Sequence, residues 1–197
     1  MRRYLISLII IVTSGLISAG NLPADKARGI FAAVGVGPRL PVSDFSRDAA
    51  VGYGFNVELS YTDNEYLPFF LFAKIGFEQY PGSNDLYEAT QYSNFATSSI
   101  PVNLGARYYF APMLENVVLF LPYLELSAAF NYYSKLHQFK VGSGRSNYSE
   151  DISKVGGSAG IGISMFIMEV LASYNYFHSN QFVSVDLKVR LPLYISY

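Results

Sequence analysis

The sequence predicts an all-β chain: an eight-stranded antiparallel up-and-down barrel that crosses a membrane on its strands, preceded by a signal peptide. Three observations carry this. Apolar and polar residues alternate with period two along eight stretches of strand length, the pattern of a strand whose two sides meet different environments. The clearest of them closes the chain, with Val183, Val185, Leu187, Val189, Leu191, Leu193, Ile195 and Tyr197 on one side and the mostly polar set Ser184, Asp186, Lys188, Arg190, Pro192, Tyr194 and Ser196 on the other. Finally, nothing after residue 20 is long and apolar enough for a spanning helix: the best run, 155–168, holds four glycines and stops at Glu169. In lipid, only helices and closed barrels satisfy every backbone group, so alternation without helices means a barrel.

Residues 1–20 start with Arg2 and Arg3, continue through an apolar run from Leu5 to Val12, and end in the small residues Ser18, Ala19 and Gly20. That is the pattern of a secretory signal peptide, leaving residues 21–197 as one barrel domain. Strands are then expected over residues 29–40, 51–61, 69–80, 99–110, 122–133, 155–167, 170–178 and 182–197. Between them lie three long polar connections at one end, 41–50, 81–98 and 134–154, and short turns at the other. Only 111–121 is ambiguous, since residues 117–121 also suit a strand.

Composition narrows the function classes. There is no cysteine, which excludes a disulfide and a lipid-anchored N-terminus. Of 14 basic residues, loss of Arg2 and Arg3 leaves 12 against 15 acidic, a net charge of −3 with no basic run, so no nucleic-acid footprint is present. No spacing of His, Asp and Glu suits a metal, and no cofactor motif appears.

Alternation alone does not say which face is outside. The polar face carries Glu58, Lys74, Glu78, Arg107, Glu125, Asp186, Lys188 and Arg190, four acids and four bases. It is also rich in glycine, at Gly52, Gly54, Gly105, Gly156, Gly160 and Gly162, which makes room for long charged side chains in a narrow tube and has no purpose on a wet surface. The apolar face carries aromatics near strand ends, Tyr61, Phe69, Tyr108, Phe110, Tyr132 and Tyr197, as membrane-interface girdles require. The charges are therefore expected in the lumen as a balanced network, and the apolar face in lipid. Arg107 and Glu125 could alternatively be read as gates of an ion path, but an eight-stranded barrel lacks a porin's diameter.

The segments SIPVNLGARYYF (residues 99–110) and PYLELSAAF (122–130), with the terminal strand ending in Tyr197, resemble the small eight-stranded outer-membrane β-barrels typified by the OmpA transmembrane domain and OmpX, and the barrel domains common in Bacteroidota-type bacteria. The resemblance spans residues 21–197. It implies a bacterial outer-membrane location, contact with outer-membrane lipid and lipopolysaccharide, handling of the C-terminal strand by the barrel-assembly machinery, and a monomer. It implies a structural or surface-interaction role rather than catalysis. Two other readings are a narrow channel for small solutes or apolar ligands, and a lipid A-modifying enzyme. The enzyme reading needs a histidine: the chain has His137, in the third long connection, and His178, beside Ser179. Neighbours on a strand point to opposite faces, so His178 and Ser179 are poorly placed as base and nucleophile. Specific contacts are left to Tyr87, Tyr92, Phe95, Phe139, Lys140, Arg145 and Tyr148, aromatics and cations suited to sugars, phosphates or a partner.

Overall fold

A chain that alternates this regularly satisfies its backbone by pairing each strand with the next, and closure removes the last free edges. In the computed structural model, which describes residues 28–63, 66–112 and 120–196, the strands form one closed antiparallel ring. Residues 1–20, expected to be a signal peptide, and Tyr197 lie outside the described residues. In chain order the elements are β1 (Arg28–Val42), α1 (Phe45–Asp48), β2 (Gly52–Asp63), β3 (Phe70–Pro81), α2 (Asn84–Ala89), β4 (Tyr92–Tyr109), β5 (Phe120–Phe139), β6 (Tyr148–Met165), β7 (Met168–Phe177) and β8 (Gln181–Ser196). Each strand pairs with its successor, and β8 returns to β1 with Arg28 opposite Ser196, so both ends of the described chain lie at one end of the barrel, the terminal end. Among the described residues no helix is long and apolar enough to cross a membrane.

The faces follow the alternation. Val57, Leu104, Leu126, Ile161 and Leu187 point outward and are exposed, while Glu58, Arg107, Glu125 and Lys188 point inward and are buried. A soluble barrel has the opposite parity, because water solvates charge and expels leucine. The outward apolar band ends on Ile100, Tyr132 and Val155 at the far end, beyond which the outward residues of β4, β5 and β6 include Asn94, Ser134, Gln138, Ser149 and Asp151.

Four details depart from the sequence expectations. The long connections are partly strand, 134–154 mostly so and 81–98 for just under half its length: β4 begins at Tyr92, and β5 and β6 stay paired out to His137 opposite Tyr148. Beyond the apolar band an outward residue needs no hydrophobicity, so the period-two signal fades while the hydrogen-bond ladder continues. Met168 and Glu169, expected as the turn, belong to β7, because the turn is made two residues earlier, at Phe166 and Ile167, with Phe166 at φ 54°. Phe69 sits in the bend before β3 rather than in the strand. The alternation of β8 runs only to Leu191: its register with β1 shifts between Phe31 opposite Pro192 and Ile30 opposite Tyr194, a bulge that leaves Leu193 unpaired and puts Tyr194 on the outward side with Ile30.

Two of the long loops fold over the far end. Ser83 caps α2 by accepting from Leu86 N at 3.2 Å, and its own N–H donates to Asp48 O at 3.0 Å, tying α2's loop to α1. Ala50 N donates to Pro81 O at 2.8 Å. This holds Phe45 over the mouth of the barrel, where it is buried edge-on against Tyr80, ring centroids 4.9 Å apart. Tyr80 meets Phe182, and Phe182 stacks on Phe177. The rings close the far end with apolar area that the narrow lumen below, lined by charge, has no use for.

Candidate functional site

The inward charges fall into two clusters. The far cluster is Arg39, Glu78 and Asp186: Arg39 Nε donates to Glu78 Oε1 at 2.8 Å and its Nη2 to Asp186 Oδ1 at 2.9 Å. Tyr80 and Ser99 donate to Glu78 Oε2 at 2.9 and 3.1 Å, and Asn56 Nδ2 donates to Asp186 at 3.1 Å. One base against two acids leaves this cluster at −1.

The terminal cluster lies below it. Glu58 accepts from Lys188 at 2.8 Å and Arg107 at 2.9 Å on one oxygen, and from Arg190 at 2.8 Å on the other. Glu125 accepts from Arg107 Nε and from Lys74, each at 3.1 Å. Glu169 is held by Arg190 and by Tyr109, whose hydroxyl donates at 2.9 Å. Arg107 is wholly buried and lies over the Tyr123 ring, 4.8 Å from its centroid. Tyr123 reaches that position because it crosses Gly162, where a Cβ would stand 2.3 Å from its Cζ. Four bases against three acids leave this cluster at +1. Between the two clusters, Asn56, Asn103, Asn175 and Ser184 help line a cavity of about 20 Å³, room for roughly one water.

All eight lumen charges named from the sequence point inward and take part in these contacts. Two more complete them. Arg39, from the end of β1, and Glu169, from the start of β7, sit at strand ends that the alternation read as edge or turn. Their signal was the spacing: each continues the inward parity of its own strand, Ala33, Gly35, Gly37 and Glu169, Leu171, Ser173.

The outward aromatics sit at two levels. Tyr61, Tyr108 and Phe110 lie toward the terminal end, Tyr108 and Phe110 edge to face at 5.2 Å. Tyr132 lies at the far end, where Tyr53 and Tyr176, which were not among the sequence candidates, join it. A concavity of about 890 Å³ lies on this outer wall over Ala106, Ala128, Gly157 and Ala159, an open and mostly apolar trough.

Past the apolar band, β4, β5 and β6 form a wall whose inner side carries Tyr92, Phe95, His137, Phe139 and Tyr148. His137 stacks on Tyr148 at 4.3 Å, Tyr92 packs on Phe139 at 4.8 Å, and the Arg145 guanidinium lies 5.5 Å from the Phe139 centroid. The Tyr92 hydroxyl is 2.9 Å from His137 Nδ1, and Glu150 is 3.5 Å from Nε2. This suits the neutral imidazole with its proton on Nε2. Burial pushes the His137 pKa down against the opposing pull of Glu150, and burial with Tyr148 alongside raises that of Tyr92. Tyr87 stands apart, locking α2 to β4 through its hydroxyl, which donates to Phe95 O and accepts from Phe95 N. Lys140 contributes its backbone N–H, to Gln91 O. His178 is exposed at the β7–β8 turn, its carbonyl accepting from Lys154 at 2.6 Å, and Ser179 takes φ 61° there. Among the described residues no cluster of His, Asp and Glu could hold a metal ion.

No protein-family model matches the chain, and no curated protein matches it. Among solved structures it is similar to Neisserial surface protein A, at 17% identity over 85% of this chain and 99% of that one, with a TM-score of 0.49. It is also similar to Ail, the attachment invasion locus protein of Yersinia pestis, in complex with the heparin analogue sucrose octasulfate (14% identity, 85% and 100% covered, TM-score 0.46). The N-terminal β-barrel domain of Pseudomonas aeruginosa OprF follows at 11% identity, 85% and 100% covered, with a TM-score of 0.42.

Proposed function

We propose that the chain is a non-enzymatic barrel of the bacterial outer membrane, plugged by its own ion pairs, with a structural or surface-interaction role exercised by its far-end loops. The observation that carries this is the parity: leucine, valine and isoleucine outward, ten charges inward in two ion-paired clusters. Water outside such a barrel would leave the apolar band exposed at about 25 cal/mol per Å², whereas acyl chains solvate it. On this reading residues 1–20 direct export, Tyr61, Phe69, Tyr108, Phe110, Tyr132 and Tyr197 mark the two interfaces, and the C-terminal strand is what the assembly machinery handles. The terminal end faces the periplasm and the ringed wall faces outward, where Tyr92, Phe139, Tyr148, Arg145 and Lys140 are suited to sugar rings and phosphates of lipopolysaccharide.

The plug argues against conduction, because a path would have to break Arg107 from Glu58 and Glu125 and then pass Phe45. Fractionation and gel migration test the location: recovery with outer membranes and different mobility of unheated and boiled samples are expected. Recovery in a soluble fraction with identical mobility would refute it. In planar bilayers, discrete openings of the purified protein would refute the plug.

A further inference from the structure

The two ends of the lumen are built differently. The far end is filled by rings, but the terminal end holds a cavity of about 350 Å³ that the ion-pair network does not fill. Its apolar lining is Phe31, Phe70, Tyr109 and Leu121, from β1, β3, β4 and β5, with Pro68 beside them, and its polar lining is Ser164, Glu169 and Arg190, from β6, β7 and β8. Phe31, Phe70 and Tyr109 are half-exposed and pack ring to ring, 5.7 Å and 5.0 Å between centroids, so they present one continuous aromatic wall. The size lies at the lower edge of the range for small-molecule sites, and an apolar wall with a few convergent polar groups is their usual construction.

The polar lining decides the charge of a ligand. Glu169 and Arg190 belong to the cluster with four bases and three acids, so a buried positive charge is left over, with Arg190 next to the cavity. Arg190 is nine-tenths buried and incompletely used. Its Nη1 makes one hydrogen bond, to Ser60 at 2.9 Å, which leaves a second N–H on that atom. Its Nε lies 2.7 Å from Glu169 Oε1 but is not aligned with it as a hydrogen bond. A buried donor of this kind is costly to leave unmet.

We propose that this cup binds a small aromatic monocarboxylate, its ring against Phe31, Phe70 and Tyr109 and its carboxylate accepting from Arg190. One negative charge brings the terminal cluster to neutrality, which a neutral or cationic ligand does not. The inference rests on the barrel and its register and is independent of the loop function.

The test is an NMR titration of the ¹⁵N-labelled barrel in phosphatidylcholine nanodiscs with phenylacetate, phenylacetamide and 2-phenylethylammonium. Phenylacetate is expected to shift the amides of Phe31, Phe70 and Tyr109, with the amide binding about tenfold more weakly or worse and the ammonium not at all, given the strength of charge-assisted hydrogen bonds. Arg190→Gln is expected to erase the preference for the acid. Phe70→Ala, outside the ion-pair network, is expected to weaken acid and amide alike and serves where Arg190→Gln does not fold. Equal binding of acid and amide to the native protein, tighter binding of the ammonium, or shifts confined to outward residues such as Leu126 would each overturn the proposal.

Discussion

Glu58→Gln is the sharpest probe of the lumen, because it removes one charge and almost no volume. Glu58 is buried and accepts from three cations, Lys188, Arg107 and Arg190, at 2.8 to 2.9 Å. Without its charge the terminal cluster moves from +1 to +2 around side chains that are buried. Breaking a buried pair from one side costs about 3–5 kcal/mol, since the partner is left charged and desolvated. That is a fall of roughly 140-fold to 3,700-fold in the ratio of folded to unfolded protein, at about 1.4 kcal/mol per decade. Asp186→Asn makes the opposite change: it takes the far cluster from −1 to neutral, and Arg39 keeps Glu78 at 2.8 Å. Its cost is about 1.5–3 kcal/mol, the loss of hydrogen bonds to a charged acceptor. Both are measured by urea titration in phosphatidylcholine vesicles, followed by far-UV circular dichroism because the chain has no tryptophan, with gel mobility as an independent count of folded barrel. A cost below about 1 kcal/mol for Glu58→Gln, or an equal cost for Asp186→Asn, would refute the division into clusters of opposite net charge.

Three further outcomes follow from the same geometry. Leu126→Arg, on the outward band, is expected to cost about 2–4 kcal/mol in vesicles, the penalty for a lipid-facing cation near the midplane; no cost would place that face in water. Phe45→Ala is expected to raise amide exchange across residues 43–50 while planar bilayers stay silent, because the ion pairs beneath still close the lumen; discrete openings would show that Phe45 is the plug. Acid is expected to loosen the ringed wall. Burial holds the His137 pKa below its ordinary value, so the folded wall binds fewer protons than the unfolded chain, and His137's contribution is full above the unfolded value of about 6.5 and lost as pH falls through the lowered one. The groups facing it are Tyr92 from β4, Tyr148 and Glu150 from β6, Lys135 from its own strand and Asp48 from α1. Amide exchange over residues 134–153 at pH 7.5 and 5.5 checks this, and a His137→Phe variant with the same acid response as the native chain would contradict it.

The strands and their parity were legible because two solvents write two different residue sets on the two faces of one backbone. Leu124, Leu126, Phe130 against Tyr123, Glu125 and Asn131 admits a single register, and a slip of one residue would put Glu125 in lipid. Beyond the apolar band that constraint lapses. On β5 the outward residues past Tyr132 are Ser134, Leu136 and Gln138, which read as loop although their backbones are paired with β4 and β6. The ring cluster around His137 was illegible for a further reason. Its members come from three strands, and only the pairing of Tyr92 with Phe139 and His137 with Tyr148 brings them together. The bulge in β8 was hidden by its own composition, since Leu193, Tyr194 and Ile195 suit either parity.

The charge count carries a constraint that the alternation did not. Four acids and four bases already balance, so one additional inward charge would have left a net charge in a narrow buried tube, at a cost of several kcal/mol. Arg39 and Glu169 are of opposite sign and keep the two clusters together neutral at five against five, but they enter different clusters. Arg39 joins Glu78 and Asp186, which would otherwise face each other at −2; Glu169 joins a group that would otherwise stand at +2. Each reduces its own cluster to a single unit of charge. The residual −1 and +1 then attract along the barrel axis, so the network is held across its height as well as around its wall. Within the lumen, the residual positive charge then lies beside the terminal cup and the residual negative charge under the Phe45 cap, so an anion in the tube meets a favourable field at the end where Arg28 and Ser196 are paired.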